Sequence, residues 1–308
     1  MLDLKSRKLA FESRDGFVLH GEWLPAAAGD SVDSYVAIIS PGMGVPARFY
    51  RPFACHLVKQ GIDVLLFDFR GIGWSAVPDL RTLEADASTC GKLDLASAID
   101  LALDLSDKKL AIGIGHSFGG SIFGLADNVR KLHKLIHICS QSGYYGFYNW
   151  KTKLYMLFNI HLAMPLLTSL LGYYPAHWLS GSEALPAGFV AEWSAWCLSK
   201  NYYMDDRFQI KSSAFHHDFH GPLLSLSFDD DLYATRQSVD EMAAFYSNCQ
   251  LDRRHLKPAE YAVELLGHFG VFKPLNGRQI WKLIAEWTKS PTNPVLPEYD
   301  KCMGQDCV

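Results

Sequence analysis

The sequence predicts an α/β fold: a mostly parallel, doubly wound sheet with helices on both faces and a helical cap inserted into it. Three observations lead there. Continuous apolar runs of strand length alternate with longer segments of helical spacing, which is the pattern of parallel strands joined by crossover helices. One such run, Leu110-Ala111-Ile112-Gly113-Ile114, enters Gly115-His116-Ser117-Phe118-Gly119, a serine on a glycine-flanked strand-to-helix turn. The alternation then breaks off from Tyr144 to about Asp218, a stretch rich in aromatics, and resumes at Pro222.

In chain order, Lys8 to Ser13 and Phe17 to Leu24 flank Arg14-Asp15-Gly16, and the Asp-Gly pair suits the positive φ of a β-hairpin turn. Tyr35 to Ser40 reads as a buried strand ending at Pro41-Gly42-Met43-Gly44. Ala47 to Gln60 has helical spacing and stops at Gly61, and Asp63 to Phe67 is the next strand. Leu93 to Leu105 (helix), Leu110 to Ile114 (strand), Ser117 to Val129 (helix) and Leu135 to Ser140 (strand) continue the series. After the insertion come a strand from Pro222 to Phe228, a helix from Arg236 to Ser247, a strand from Tyr261 to Leu266 and a last helix from Asn276 to Lys289. The expected organisation is therefore a core of residues 1–143 and 219–290, a helical cap of residues 144–218 and a tail of residues 291–308.

Composition narrows the function classes. With 308 residues, 49% hydrophobic and 20% charged, the chain can bury a substantial core. A net charge of −4 gives no footprint for nucleic acid. The first residues, Met1 to Lys8, lack the apolar stretch of a secretion signal, so the expectation is a cytoplasmic protein. Seven cysteines, odd in number and without a CxxC pair, indicate neither a disulfide framework nor a zinc knuckle; Cys302 and Cys307 fall in the polar, Pro-containing tail.

The serine turn carries the chemistry. A serine hydroxyl is a weak nucleophile at neutral pH and needs a histidine base, which in turn needs a carboxylate to fix its tautomer. On such a sheet these partners belong at the carboxyl ends of later strands, in the order serine, acid, histidine. Asp229-Asp230-Asp231 follows the Pro222 to Phe228 strand, and Gly267-His268-Phe269-Gly270 follows the Tyr261 to Leu266 run. Counting from the strand end favours Asp231 as the acid, with Asp230 as second choice. Two backbone donors for an oxyanion are expected from the N–H groups of Phe118 and Met43, the latter on the Pro41 to Gly44 loop.

These motifs together resemble the α/β-hydrolase superfamily over residues 8 to 290, as does Asp68-Phe69-Arg70-Gly71-Ile72-Gly73-Trp74-Ser75, which looks like its D-x-R-G-x-G-x-S segment. Within it, Pro41 to Pro46, Phe49-Tyr50-Arg51-Pro52-Phe53, Gly143-Tyr144 and Gly267 to Gly270 look most like the hydrolases grouped near the serine aminopeptidase-like and lysophospholipase-like proteins. The resemblance implies the α/β-hydrolase fold, no cofactor and a small-molecule acyl substrate. Two departures stand out: Ser40-Pro41-Gly42 replaces the usual His-Gly of the oxyanion loop, and Phe228-Asp229-Asp230-Asp231 replaces the usual G-x-x-D.

The reading that results is an ester hydrolase with Ser117 as nucleophile, His268 as base and Asp231 as its orienter. Thioesterase, amidase, aminopeptidase and acyltransferase chemistry on the same residues, or a non-catalytic apolar-ligand carrier, are the alternatives. An aminopeptidase would want a cap carboxylate, for which Glu183 and Glu192 are candidates. Asp68 and Arg70 read as scaffold and His116 as packing beside the serine turn. His216-His217-Asp218-Phe219-His220 lacks metal-ligand spacing, so no metal is expected. Trp150, Phe158, Trp178, Trp193 and Trp196 are expected to line or support an apolar pocket. Leu154 to Tyr174 is apolar, but Asn159, His161 and Pro165 interrupt it, which favours a pair of cap helices over attachment to a membrane surface.

Overall fold

A computed structural model describes residues 6–27, 34–107, 110–178 and 181–291. Cys302, Cys307 and nearly all of the tail lie outside the described residues. Eight strands form one sheet: β1 (Arg7–Glu12), β2 (Val18–Leu24), β3 (Tyr35–Ser40), β4 (Ile62–Phe67), β5 (Leu110–His116), β6 (Lys134–Ile138), β7 (Pro222–Phe228) and β8 (Gln250–Leu256). Their order is β1-β2-β4-β3-β5-β6-β7-β8. The expected hairpin of β1 and β2 is antiparallel, β2 pairs antiparallel with β4, and every later pairing is parallel.

Hydrophobic burial explains the layers. β3, β4, β6 and β7 are buried at every position, and two apolar clusters cover the two faces of the sheet. Strand order reverses at β3, whose neighbours are β4 on one side and β5 on the other, so the loops leaving β3 and β5 diverge and open a crevice. Ser40 pairs with Gly115, which places the loop after β3 beside the serine turn. Leu256 pairs with Phe228 at the far end, so the chain leaving β8 passes the three aspartates after β7.

Two elements of the core differ from expectation. The last strand is Gln250–Leu256, and not Tyr261 to Leu266, where the chain forms a 3-10 turn (Pro258–Tyr261) followed by irregular backbone with Ala262 at φ 52°. Asp252-Arg253-Arg254-His255 looks too polar for a strand, but it lies on the sheet edge and its charges are paired. Arg254 Nη2 meets Asp252 at 2.7 Å, and Arg253 meets Asp240 at 2.7 Å and Ser227 Oγ at 2.6 Å.

The helix after the serine turn is the second. A long helix over Ser117 to Val129 is replaced by one turn, Phe118–Ser121, and a 3-10 turn, Phe123–Leu125. Glycines at 119, 120 and 124 weaken helix propensity, and the chain returning from the cap takes the place of the next turn. Phe215 N–H donates to the Gly124 carbonyl (2.7 Å), and a Cβ at Gly124 would lie 2.1 Å from the His216 ring.

The insertion begins with one long helix, Trp150–Leu171, whose middle turn (Asn159–Ala163) is π-helical. Pro165 lies inside this helix, just after the π turn, so an irregular turn and not a break accommodates the proline, and one helix stands where two were expected. A two-residue ladder (Tyr173–Tyr174 with Leu185–Pro186), a helix at Ala187–Cys197 and a series of 3-10 turns complete it.

His137 on β6 is fully buried, and among the described residues neither ring nitrogen has a hydrogen-bond partner. Burial pushes its pKa down to about 3, so the folded protein keeps it neutral while the unfolded chain protonates near pH 6.5. Between those values the unfolded state binds the extra proton, and stability therefore falls as pH falls. The expected loss from this residue is about 2 kcal/mol between pH 7 and pH 5. His137→Phe, stacked as now on Phe123, should flatten the pH dependence of urea unfolding by that amount. An unchanged slope would show that His137 does not drive it.

Candidate active site

Ser117 has φ 51° and ψ −126°, a backbone conformation that L side chains rarely adopt and that lifts its hydroxyl off the end of β5. The flanking glycines are steric necessities. A Cβ at Gly115 would sit 2.2 Å from Gly120 Cα, and one at Gly119 would sit 2.3 Å from the carbonyl oxygens of Ser40 and Pro41. In this rotamer Ser117 Oγ donates to Gln141 Oε1 over 3.4 Å, and no hydrogen bond joins it to His268.

His268 lies in a short helical turn, Gly267–Gly270, rather than directly on a strand end. Its Nδ1 is 2.8 Å from Asp231 Oδ2, and both residues are buried. Asp231 Oδ1 accepts the backbone N–H groups of Tyr233 (2.7 Å) and Ala234 (2.9 Å). Burial alone would raise the Asp231 pKa, but the adjacent imidazole and the donated N–H bonds outweigh it and hold the carboxyl below its ordinary value. Asp230 has a different position: its two oxygens accept the N–H groups of Leu266 and Gly267, both at 2.9 Å, and so fasten the loop that presents His268. Asp229 faces His255 on β8 at 3.4 Å.

Met43 and Phe118, the two residues expected to offer oxyanion donors, line the same cavity as Ser117 and His268. Among the described residues neither N–H donates to a protein acceptor. The loop carrying Met43 is fixed from behind by a buried chain of hydrogen bonds. Gly42 N–H donates to Tyr50 OH (2.8 Å), Tyr50 OH contacts His116 Nδ1 (2.7 Å), and His116 Nε2 contacts the His268 carbonyl oxygen (2.9 Å). A carbonyl can only accept, so Nε2 carries the His116 proton and Nδ1 accepts from Tyr50. Burial holds the His116 pKa well below its usual value, which keeps the ring neutral in this role. Tyr50 stood in the sequence only as part of the Phe49 to Phe53 motif, with no role assigned, and Gln141 carried no signal, because each acts through a contact made far along the chain.

The other singled-out residues separate cleanly. Asp68 accepts the N–H groups of Ala47 (2.6 Å) and Trp74 (2.8 Å), with burial raising its pKa to about 6; Arg70 pairs with Asp94 (2.5 Å) and Asp15 (2.7 Å). Both brace loops. Glu183 is engaged by Gly73 N–H (2.6 Å) and Arg48 (2.8 Å), and Glu192 by Ser88 N–H (2.7 Å), so neither extends into the cavity to receive a substrate amine. His216 turns inward to Tyr203 OH (2.9 Å) and His217 outward to Asp218 (3.0 Å). Among the described residues the metal-capable cluster is Cys139, Asp231 and His268, in which the carboxylate and imidazole already bond each other.

The cavity has a volume of about 480 Å³ and is closed on one side by the cap helix through Met156, Ile160 and Met164. Of the five cap aromatics only Trp193 lines it. Trp196 is wholly buried in the core beneath, whereas Trp150, Phe158 and Trp178 are 57–68% exposed. Trp150 and Phe158 turn outward because each stands two positions, about 200° around the helix, from cavity-lining residues: Thr152 for the first, Met156 and Ile160 for the second.

Sheet order, serine turn and cavity together define an α/β hydrolase. The chain belongs to the alpha/beta hydrolase family, whose sequence model matches residues 19–276. Among curated proteins it is similar to the uncharacterised protein YfhR of Salmonella typhi, at 28% identity over 122 residues, covering 38% of this chain and 39% of that protein. Among solved structures it resembles an esterase of Pyrococcus furiosus (16% identity, TM-score 0.58, 95% of both chains). It also resembles a soluble variant of the monoglyceride lipase of Saccharomyces cerevisiae (15% identity, TM-score 0.61, 88% of this chain and 92% of that one). A thermostable carboxyl esterase of Bacillus coagulans is similar at 12% identity and TM-score 0.58, over 92% and 97% of the chains.

Proposed function

We propose that the protein is a serine hydrolase that cleaves a carboxylic ester of moderate hydrophobicity through an acyl-enzyme. The observation that carries this reading is the 2.8 Å bond between His268 Nδ1 and Asp231 Oδ2 in the cavity that also contains the strained Ser117 turn. With Nδ1–H donating to the carboxylate, Nε2 keeps its lone pair and is the base. The hydroxyl turns from Gln141 to His268, Nε2 takes its proton, and Oγ attacks the acyl carbon. The N–H groups of Met43 and Phe118 receive the developing oxyanion. As the intermediate collapses, His268 returns the proton to the departing alcohol, and water repeats the sequence to release the acid and free Ser117.

An ester fits better than a peptide with a free amine, because Glu183 and Glu192 are both occupied by protein donors. The apolar lining, with Met156, Ile160, Met164 and Trp193, suits an acyl chain. Each methylene that enters such a pocket contributes about 0.8 kcal/mol, or roughly fourfold in kcat/KM. Two measurements test the proposal: intact mass after treatment with a fluorophosphonate, and rates on p-nitrophenyl esters of increasing chain length. We expect one covalent adduct and a kcat/KM that climbs with chain length until the cavity is full. No adduct and no turnover would overturn the reading.

A further inference from the structure

The helix Trp150–Leu171 is long and apolar enough to cross a membrane, with a mean hydropathy of 1.6 over its most apolar window and only 17% of that window buried. Its two sides are used differently. Asn159, Ile160 and Met164 are buried against the domain and line the cavity. On the outside, Trp150, Leu154, Phe158, Leu162, Leu166 and Leu170 recur at every fourth position and are 52–71% exposed. Such a stripe would drift about 40° per step around a straight α-helix. The π turn at Asn159–Ala163 takes up an additional residue and draws the stripe back toward one side. An apolar outer face this long on a water-soluble surface calls for a covering partner.

Charge identifies that partner. The chain has 33 acidic residues, yet none lies between Asp127 and Glu183. Lys151 and Lys153 stand in the first turn of the helix, and among the described residues neither has a carboxylate partner. Each lies beside an aromatic ring, Lys151 over Trp150 (5.6 Å) and Lys153 over Tyr145 (5.1 Å). Lysine and aromatic side chains together are the groups that settle at lipid headgroup level. The stripe is also continuous with the cavity mouth, since Lys151, Tyr155, Leu232 and Tyr233 line the cavity and are exposed at the same time.

We propose that the outer face of this helix lies flat on a bilayer containing anionic lipids. The Leu154 to Leu170 stripe enters the upper acyl chains, Lys151 and Lys153 meet the headgroups, and the cavity mouth is held at the lipid interface. A spanning orientation would pull Asn159, Ile160 and Met164 out of the domain, so the in-plane orientation is the one compatible with the fold. The proposal does not depend on the hydrolase reading, because binding is measured without turnover.

The test is co-sedimentation of the full-length protein with phosphatidylcholine vesicles, with and without phosphatidylserine, at low and high salt. The comparison variant is Phe158→Ser/Leu162→Ser, at two exposed positions outside the cavity, with near-UV circular dichroism and hydrolysis of a soluble short-chain ester as checks on folding. We expect tighter binding to the phosphatidylserine vesicles, weakened by salt, and a loss of about tenfold or more in the double variant with its circular dichroism unchanged. Absence of vesicle binding by the natural sequence, or binding indifferent to the two substitutions, overturns the proposal. So does a dimer that the substitutions dissociate in the absence of vesicle binding, which would assign the face to a second copy. Retention in membranes after alkaline extraction would assign a spanning role and overturn it as well.

Discussion

Ser117→Ala is expected to lose the fluorophosphonate adduct entirely and to lower kcat on p-nitrophenyl esters by about 10^4-fold or more, with KM little changed. The size of the effect follows from the chemistry: without Oγ there is no acyl-enzyme, and only the oxyanion donors and the bound geometry remain. The fold should be indifferent. The hydroxyl makes one long contact, 3.4 Å to Gln141, and the backbone strain at φ 51° is the same for alanine as for serine. Thermal unfolding of the variant should therefore match that of the natural protein. A variant that retains the adduct would place the nucleophile elsewhere and remove the proposed mechanism.

Replacing each of the two neighbouring aspartates by asparagine separates orienting the base from holding its loop. Asp231 Oδ1 is held by the N–H groups of Tyr233 and Ala234, so in Asp231→Asn the amide oxygen must stay there and the NH₂ must face His268 Nδ1. That forces Nδ1 to accept and puts the proton on Nε2, leaving no lone pair for the serine proton. A fall in kcat of about 10^3- to 10^4-fold is expected at neutral pH. Asp230 accepts two backbone N–H bonds and does not touch the imidazole. Asp230→Asn keeps one acceptor, and the expected loss is below about tenfold, together with a modest loss of stability. Reversal of these magnitudes would make Asp230 the acid and Asp231 the loop support.

The buried chain from Gly42 through Tyr50 and His116 to the His268 carbonyl gives this geometry a common frame. It ties the loop that carries Met43 to the loop that carries His268, across the end of the serine strand. His116 reads in sequence as packing next to the serine; in the fold it is also a neutral hydrogen-bond bridge.

Much of the fold was legible in the sequence because its determinants are local. Continuous apolar runs of strand length bounded by turn residues read as strands buried on both faces, Asp15-Gly16 permits a hairpin, and the glycines flanking Ser117 mark a sharp turn with no room for side chains. The order of serine, aspartates and histidine was legible for the same reason, since each follows a strand or the loop after one. What failed locally was the last strand. Asp252 to His255 is acceptable as a strand only because Asp240 and Ser227, from other elements, meet its arginines. The short helix after Ser117 failed likewise, because the chain returning at Phe215 and His216 occupies its path.

By itself, then, the sequence determined the parallel sheet, the inserted cap, the strained serine turn and the order of serine, aspartates and histidine along the chain. Tertiary structure gave His268 the partner that counting had only favoured, Asp231 over Asp230, brought Tyr50 and Gln141 to the site, and set which side of the Trp150–Leu171 helix faces the cavity and which is left bare. The physical reason is range. Periodicity and steric clash act within a few residues, whereas hydrogen-bond partners and the exposed side of a helix are set by where distant strands end and which loops they bring together.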